Sequence, residues 1–371
     1  TNVNLIAQQN DPQTKVTPVG FLQMLMANNA KYEITNLAKV QAGTDRVIKL
    51  RYQQRGLESD VSADDDCETP ISPEWKESEL KTSQFSKIGI YISDEQMRKY
   101  EEEATQTLAA GTPTAPLMRG LYETVIVKLN GLIQKIDNNL LSAQATAWGK
   151  NIAAGDSNAR PVAFGSSLSM EDGIVKLLAD AQANEIVGDL LFCGNGAINS
   201  YYLLNGLKLG LDAKGFGQAN LKFYNDVNSV SKWGNNHFGA FAQGLVGFVD
   251  WNKNVGSYAG TRGGSMFFSL PIPVELANGA LTSLTLDAQL KYEDCPILDS
   301  EGNKVADRGY KLILSKNYGL WNAPTDMFAA GDRLSGFNGA LHYIGSVKEP
   351  APVIIGNTAD NPVNTKEVAT I

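Results

Sequence analysis

Asp64, Asp65, Asp66, Cys67 and Glu68 stand side by side. Clustered carboxylates are the donors that gather a hard divalent cation. Their spacing is not that of an EF-hand loop, and the glycine such a loop needs for its turn is missing. A solvated or partner-facing acidic tip is the simpler reading. Gly194-Asn195-Gly196 follows an apolar run, as a dinucleotide-binding turn would, but Asn199 stands where the third glycine belongs. A plain strand-to-helix turn accounts for it. Cys193 ends the apolar run Asp189–Cys193 and reads as a core residue. The chain has two histidines, His237 and His342, and so is short of the usual general base and metal ligand. No Gly-x-Ser-x-Gly occurs, and no carboxylate pair stands out as acid and base. The expectation is no catalytic residue, no cofactor and no metal.

The elements around the acidic cluster are more informative than the cluster. Ile48, Leu50 and Tyr52 alternate with Lys49, Arg51 and Gln53, the period of a half-buried strand. Ile88, Ile90 and Ile92 repeat that period and predict the return strand of a hairpin. Between them, Glu58 to Glu79 holds nine acids and one base, Lys76, with Pro70 and Pro73 breaking any helix. The near end carries Arg46, Lys49, Arg51 and Arg55. The excursion therefore reads as polarised, with a basic root and an acidic tip. Past the Glu101–Glu103 charge run, Leu117, Leu121, Val125, Leu129, Leu132, Ile136, Leu140 and Ala143 fall at steps of three or four. That stripe predicts one helix from about Pro116 to 146, roughly 45 Å long.

Upstream, residues 1–17 read as an extended arm. Pro18–Asn28 reads as a short helix with Thr17 at its N-cap, and Tyr32–Lys39 as a second. Downstream, a helix from Ser169 to about Ala183, a buried strand at Asp189–Cys193 and a helix at Ala197–Leu207 form an α/β unit. Residues 194–264 hold fourteen glycines around short strands such as Leu221–Tyr224 and Leu245–Asp250. Further strands are expected at Met266–Leu270, Leu284–Tyr292, Tyr310–Ser315 and Ala340–Ile344. The tail, Glu349–Ile371, is polar.

The totals set outer limits. At 371 residues two lobes are a fair expectation, and a hydrophobic content of 43% rules out a wholly disordered chain. The net charge of −8 argues against a dedicated nucleic-acid binder. Three distant cysteines, Cys67, Cys193 and Cys295, suggest a reducing compartment without a disulfide framework. No apolar run approaches a membrane span, and Thr1-Asn2-Val3-Asn4 does not open a signal peptide.

In its order of parts the chain resembles the major capsid proteins of tailed bacteriophages, a fold shared with encapsulin nanocompartments and the herpesvirus shell floor. The resemblance lies in architecture and covers nearly the whole chain. It implies an α+β phage major-capsid fold. Residues 1–45 would be the N-terminal arm and 46–95 the E-loop hairpin. Residues 96–168 would be a P-domain with its spine helix at 116–148, and 169–310 the A-domain. Residues 311–371 would hold P-domain return strands and the C-terminal tail. It implies a non-enzymatic subunit that closes, as hexamers and pentamers, into an icosahedral shell around double-stranded DNA it does not recognise specifically. Scaffold, portal or decoration proteins would be partners, with no membrane, in a virion assembled in the host cytoplasm. The expected inter-subunit contacts are the tip acids Asp64, Asp65, Asp66 and Glu68 against the root bases Lys49, Arg51 and Arg55 of another copy. Some members of this family join a hairpin lysine covalently to a neighbour's asparagine with a carboxylate assisting. Tyr310–Trp321 offers Asn317 but no acid, so noncovalent closure is expected. The rivals are an encapsulin-like shell, and a carboxylate-dependent enzyme or carbohydrate-binding protein with Trp233 and Trp251 lining a cleft.

Overall fold

The computed structural model describes residues 20–28, 30–45, 47–53, 75–80, 83–109, 119–148, 161–164, 190–194, 221–233, 237–275, 281–298, 304–324 and 342–347. The first elements are helix α1 (Gly20–Ala27), strand β1 (Glu33–Ile34), helix α2 (Leu37–Gln41) and strand β2 (Lys49–Gln53). α1 lies within the expected 18–28 helix, and its apolar run buries Phe21, Leu22, Met24 and Leu25. The helix expected over Tyr32–Lys39 is replaced by β1 and the short α2. Asn36 is the reason. Its side chain accepts the Lys49 N–H and donates to Asp45 and to the Val47 carbonyl. Such side-chain bonds offer the backbone an alternative to helix.

The return strand of the hairpin differs from expectation. β2 pairs antiparallel with β3 (Trp75–Glu79), Lys49 opposite Glu79. The isoleucines belong to β4 (Ser83–Ser93), which pairs instead with the long strand β13 (Lys304–Asn322). Ile90 and Ile92 are buried in the main core, so the apolar face of β4 is spent there. β3 reads WKESE and is exposed at every second residue, with no apolar alternation to announce it. β1, β2 and β3 form a three-stranded sheet of their own.

Helix α3 (Asp94–Ala109) occupies what reads in sequence as a charge run. Its start is a capping box: the Gln96 N–H donates to Ser93 Oγ, and the Ser93 N–H donates to Gln96 Oε1. Helix α4 (Arg119–Trp148) is the predicted long helix, 30 residues. Ile126, Leu129, Leu132, Ile133, Ile136, Leu140 and Leu141 are buried along one side.

The remaining strands form two larger sheets. The six-stranded sheet runs β10 (Gly260–Arg262), β11 (Ser265–Glu275), β12 (Leu281–Leu298), β13 and β4, with β9 (Val246–Trp251) paired to the far end of β13. The five-stranded sheet runs β5 (Pro161–Phe164), β14 (His342–Val347), β8 (His237–Ala242), β6 (Leu190–Gly194) and β7 (Leu221–Asn225). β6–β7 and β14–β5 are parallel pairs and the others antiparallel. Each expected downstream strand overlaps an observed one. The arm 1–17, the helices expected at 169–183 and 197–207, and the tail lie outside the described residues.

One apolar core joins α1, α4, β4, β6 and β11–β13. Trp233, in the short helix α5 (Ser229–Trp233), meets Phe21 edge-on at 5.4 Å and donates its indole N–H to the Leu141 carbonyl. Trp251 is also buried. Both tryptophans named as candidate cleft residues are packed in the interior among the described residues.

Candidate functional site

The hairpin root is a sheet with two unlike faces. Ile48, Leu50 and Tyr52 point inward and are buried, while Lys49 and Arg51 remain partly open. The antiparallel register sets Glu79 opposite Lys49, Glu77 opposite Arg51, and Glu33 of β1 opposite Arg51 on the other side. The Arg51 guanidinium bonds Glu33 at 2.7 Å and lies 4.6 Å over the Trp75 ring. Lys49, Lys39 and Glu77 border a shallow recess with Thr35, Asn36 and Ala38. Among the described residues the Lys49 ammonium has no ion-pair partner. The root is thus mixed in charge rather than basic. Glu77 and Glu79, counted with the acidic tip in sequence, are brought back beside Arg51 and Lys49 by the register. Arg51 already has an acid and an aromatic face, whereas Lys49 and Lys39 have no ion-pair partner among the described residues.

Arg55, Asp64, Asp65, Asp66 and Glu68 lie outside the described residues, as do Cys67 and Asn195–Asn199. Cys193 is fully buried in β6, and burial pushes its thiol well above the usual range. Among the described residues no group of three or more His, Cys, Asp or Glu side chains gathers to hold a metal, and no helix is long and apolar enough to cross a membrane.

Sequence reasoning missed a polar junction inside the six-stranded sheet. β13 pairs with β12 up to Ser315 and with β9 from Asn317 onward. Lys316 sits at that change of partner with no side-chain exposure. Its ammonium donates to the Thr285 carbonyl, to Asn252 Oδ1 at 3.1 Å, and to the Asp250 carboxylate. Asp287, also buried, accepts the Lys253 and Asn254 N–H groups. Asn317 is buried beside it, and its amide nitrogen finds no acceptor among the described residues. The segment Tyr310–Trp321 lacks an acid of its own, but β9 supplies Asp250 opposite Tyr318. Asp250 is held by Lys316.

Several large apolar side chains face outward: Val127 on α4 at 65% exposure, Phe85 on β4 at 54% and Trp75 on β3 at 53%. Phe85 lies on the side of β4 opposite the buried Ser86. Val227 and Met266 are exposed as well, and any of these side chains could be covered by a partner.

No family model matches the chain, and no curated protein matches it. Among solved structures it is similar to that of Mycobacterium phage Adephagia, at 11% identity over 90% of this chain and 92% of that chain, with a TM-score of 0.44. It is similar to the capsid asymmetric unit of cyanophage A-1(L), at 11% identity over 88% and 92%, with a TM-score of 0.43. It is also similar to the capsid structure of cyanophage P-SCSP1u, at 10% identity over 89% of each chain, with a TM-score of 0.42.

Proposed function

We propose that this chain is a shell subunit, the major capsid protein of a tailed bacteriophage, and that many copies close into an icosahedral coat around double-stranded DNA. One observation carries the reading. The β2–β3 hairpin is rooted on a small sheet of its own, separate from the six- and five-stranded sheets, and the segment 54–74 that joins its strands is rich in Glu and Asp in sequence. A chain spends such a segment on neighbours, since nothing in its own core calls for it. On this reading 46–95 is the E-loop and α4 the spine helix. Residues 1–45 form the arm, 96–168 the P-domain, 169–310 the A-domain, and 311–371 the return strands and tail. Hexamers and pentamers build the coat without an enzymatic step. Portal, scaffold or decoration proteins add to it, and assembly takes place in the host cytoplasm.

The physics is that of many weak contacts. Each subunit touches several neighbours, so modest pairwise affinities sum to a strong lattice. The tip acids Asp64, Asp65, Asp66 and Glu68 meet basic groups of the adjacent copy, Lys49 and Arg55 first, with Arg51 shared with its own Glu33. Complementary charge of this kind sets register more than it adds affinity. Closure is noncovalent.

Negatively stained micrographs of the purified full chain test the reading: closed shells are expected, and dispersed single molecules overturn it. Nuclease-protected DNA inside particles is the expected content; protein cargo in its place would point to a nanocompartment. Reversing Asp64, Asp65 and Asp66 to Lys is expected to lower particle yield, with the wild-type yield itself falling as salt is raised. Undiminished assembly of that variant would remove the proposed tip-to-root contact while leaving the shell reading standing.

A further inference from the structure

Asp137 of α4 and Asp226, which follows β7, are both fully buried beside the first turn of α1. Asp226 Oδ2 accepts the Phe21 N–H at 2.9 Å, and Asp137 Oδ1 accepts the Leu22 N–H at 2.9 Å. Asp226 Oδ1 also accepts the Asn228 N–H at 2.9 Å. Gly20, at φ 43°, brings the backbone so near that a Cβ there would lie 2.2 Å from Asp226 Cβ. α1 is therefore docked through its first N–H groups onto two carboxyls from two different elements.

Among the described residues no cation pairs with either carboxyl. The titratable groups facing the pair, among the described residues, are Cys193 on β6 and, behind it, Tyr224 on β7. Burial first and neighbouring negative groups second hold both protonated. α5 contributes Ser229 and Trp233, and α1 contributes apolar side chains. Two unpaired negative charges in contact inside a core are too costly to persist. Asp137 Oδ2 is buried without a hydrogen bond among the described residues, and the nearby Asn228 side chain, which favours the charged form, is outweighed by burial and by Asp226. A proton on that oxygen, given to Asp226, relieves both the repulsion and the orphaned atom.

We propose that Asp137 and Asp226 share one proton and form a proton-operated latch that holds α1 against α4 and the five-stranded sheet. Burial, and then the charge of Asp226, raise the Asp137 carboxyl to about 8. Once α1 detaches and water reaches the pair, Asp137 returns to the ordinary carboxylate range near 4. The sign follows. Between about pH 4 and about pH 8 the closed latch holds a proton that the open one releases, so raising the pH favours opening. Above about 8 both states have lost it and the dependence levels off. The latch is tightest in acid.

Amide hydrogen exchange of residues 21–25 in the full chain tests this, read at pH steps from about 5 to 9 and corrected for the intrinsic rate at each pH. The opening constant is expected to rise about tenfold per pH unit up to about pH 8 and then flatten. In Asp137→Asn, whose Oδ1 still accepts the Leu22 N–H and whose amide cannot titrate, the slope is expected to vanish. Amides of β12 and β13 act as the reference, because a merely weakened fold would raise exchange there too. A flat wild-type profile overturns the proposal, as does an unchanged slope in the variant. Should Asp137→Asn fail to fold, Asp226→Asn is read instead: with the Asp226 charge gone and Asp137 still able to titrate, the plateau is expected to begin at lower pH than in the wild type, and an unmoved plateau overturns the proposal.

Discussion

Lys316 has no side-chain exposure and still finds a partner for every donor of its ammonium. Those partners are three acceptors, the Asp250 carboxylate, Asn252 Oδ1 and the Thr285 carbonyl. Lys316→Met keeps the stem but leaves all three acceptors unmatched. Removing one member of a buried pair costs about 3–5 kcal/mol. Asp250 retains water on one side, at 39% exposure, which discounts the loss toward about 2–3 kcal/mol. Urea unfolding of the soluble subunit is expected to show that drop with the slope unchanged. None of this is visible from the neighbours of Lys316 in sequence: its partners are thirty or more residues away, on β12, on β9 and just past the end of β9.

At the scale of elements, the long helix is tied to two strands by one small polar cluster. The Tyr318 hydroxyl of β13 bonds Ser86 Oγ of β4 at 2.8 Å and accepts from Asn139 of α4 at 2.8 Å. Burial raises the Tyr318 phenol above its usual value, so it stays a neutral hydrogen-bonding group at working pH. Tyr318→Phe leaves the ring in place and strands Ser86 and Asn139. The expected cost is about 1–2 kcal/mol, read as a lower denaturation midpoint. Faster exchange is expected in α4 near Asn139, ahead of α3, which meets the sheet elsewhere. The existence of α4 was legible in its stripe of leucines and isoleucines, and its observed span shifts from the expected one by only a few residues. α3 was missed although Ser93 and Gln96 spelled its capping box, because the acids that follow suggest a solvated run when read by charge alone.

The whole molecule presents apolar side chains that its own core does not claim. Val127 stands on the outward side of α4 and Phe85 on the outward side of β4. Val127→Asp is expected to leave the subunit's unfolding free energy within about 0.5 kcal/mol, as exposed substitutions usually do. If copies cover that side in a shell, the same change lowers particle yield by sedimentation while the far-ultraviolet spectrum and thermal midpoint of the subunit stay put. Equal yields would place the neighbour contacts elsewhere, at the hairpin and its root. The mixed charge of that root bears on the same question. Glu33, Glu77 and Glu79 stand among its bases, so a neighbouring acidic tip competes with acids already present, and assembly should respond to salt from both sides of the contact.

Periodicity and local chemistry by themselves determined the helix–strand character of most described segments: the long helix, the first strand, the buried run ending at Cys193, and the late strands. These signals act between residues a few positions apart, where spacing and side-chain type suffice. Which strand pairs with which was decided only in three dimensions. Any strand edge offers the same N–H and C=O groups, so Ile88, Ile90 and Ile92 could announce a strand without saying that β13, rather than β2, would take it. The same holds for charge. Whether a glutamate reaches outward or back to an arginine depends on a register fixed by burial elsewhere, and a carboxyl such as Asp137 reveals its shared proton only when the fold sets Asp226 beside it and shuts out water.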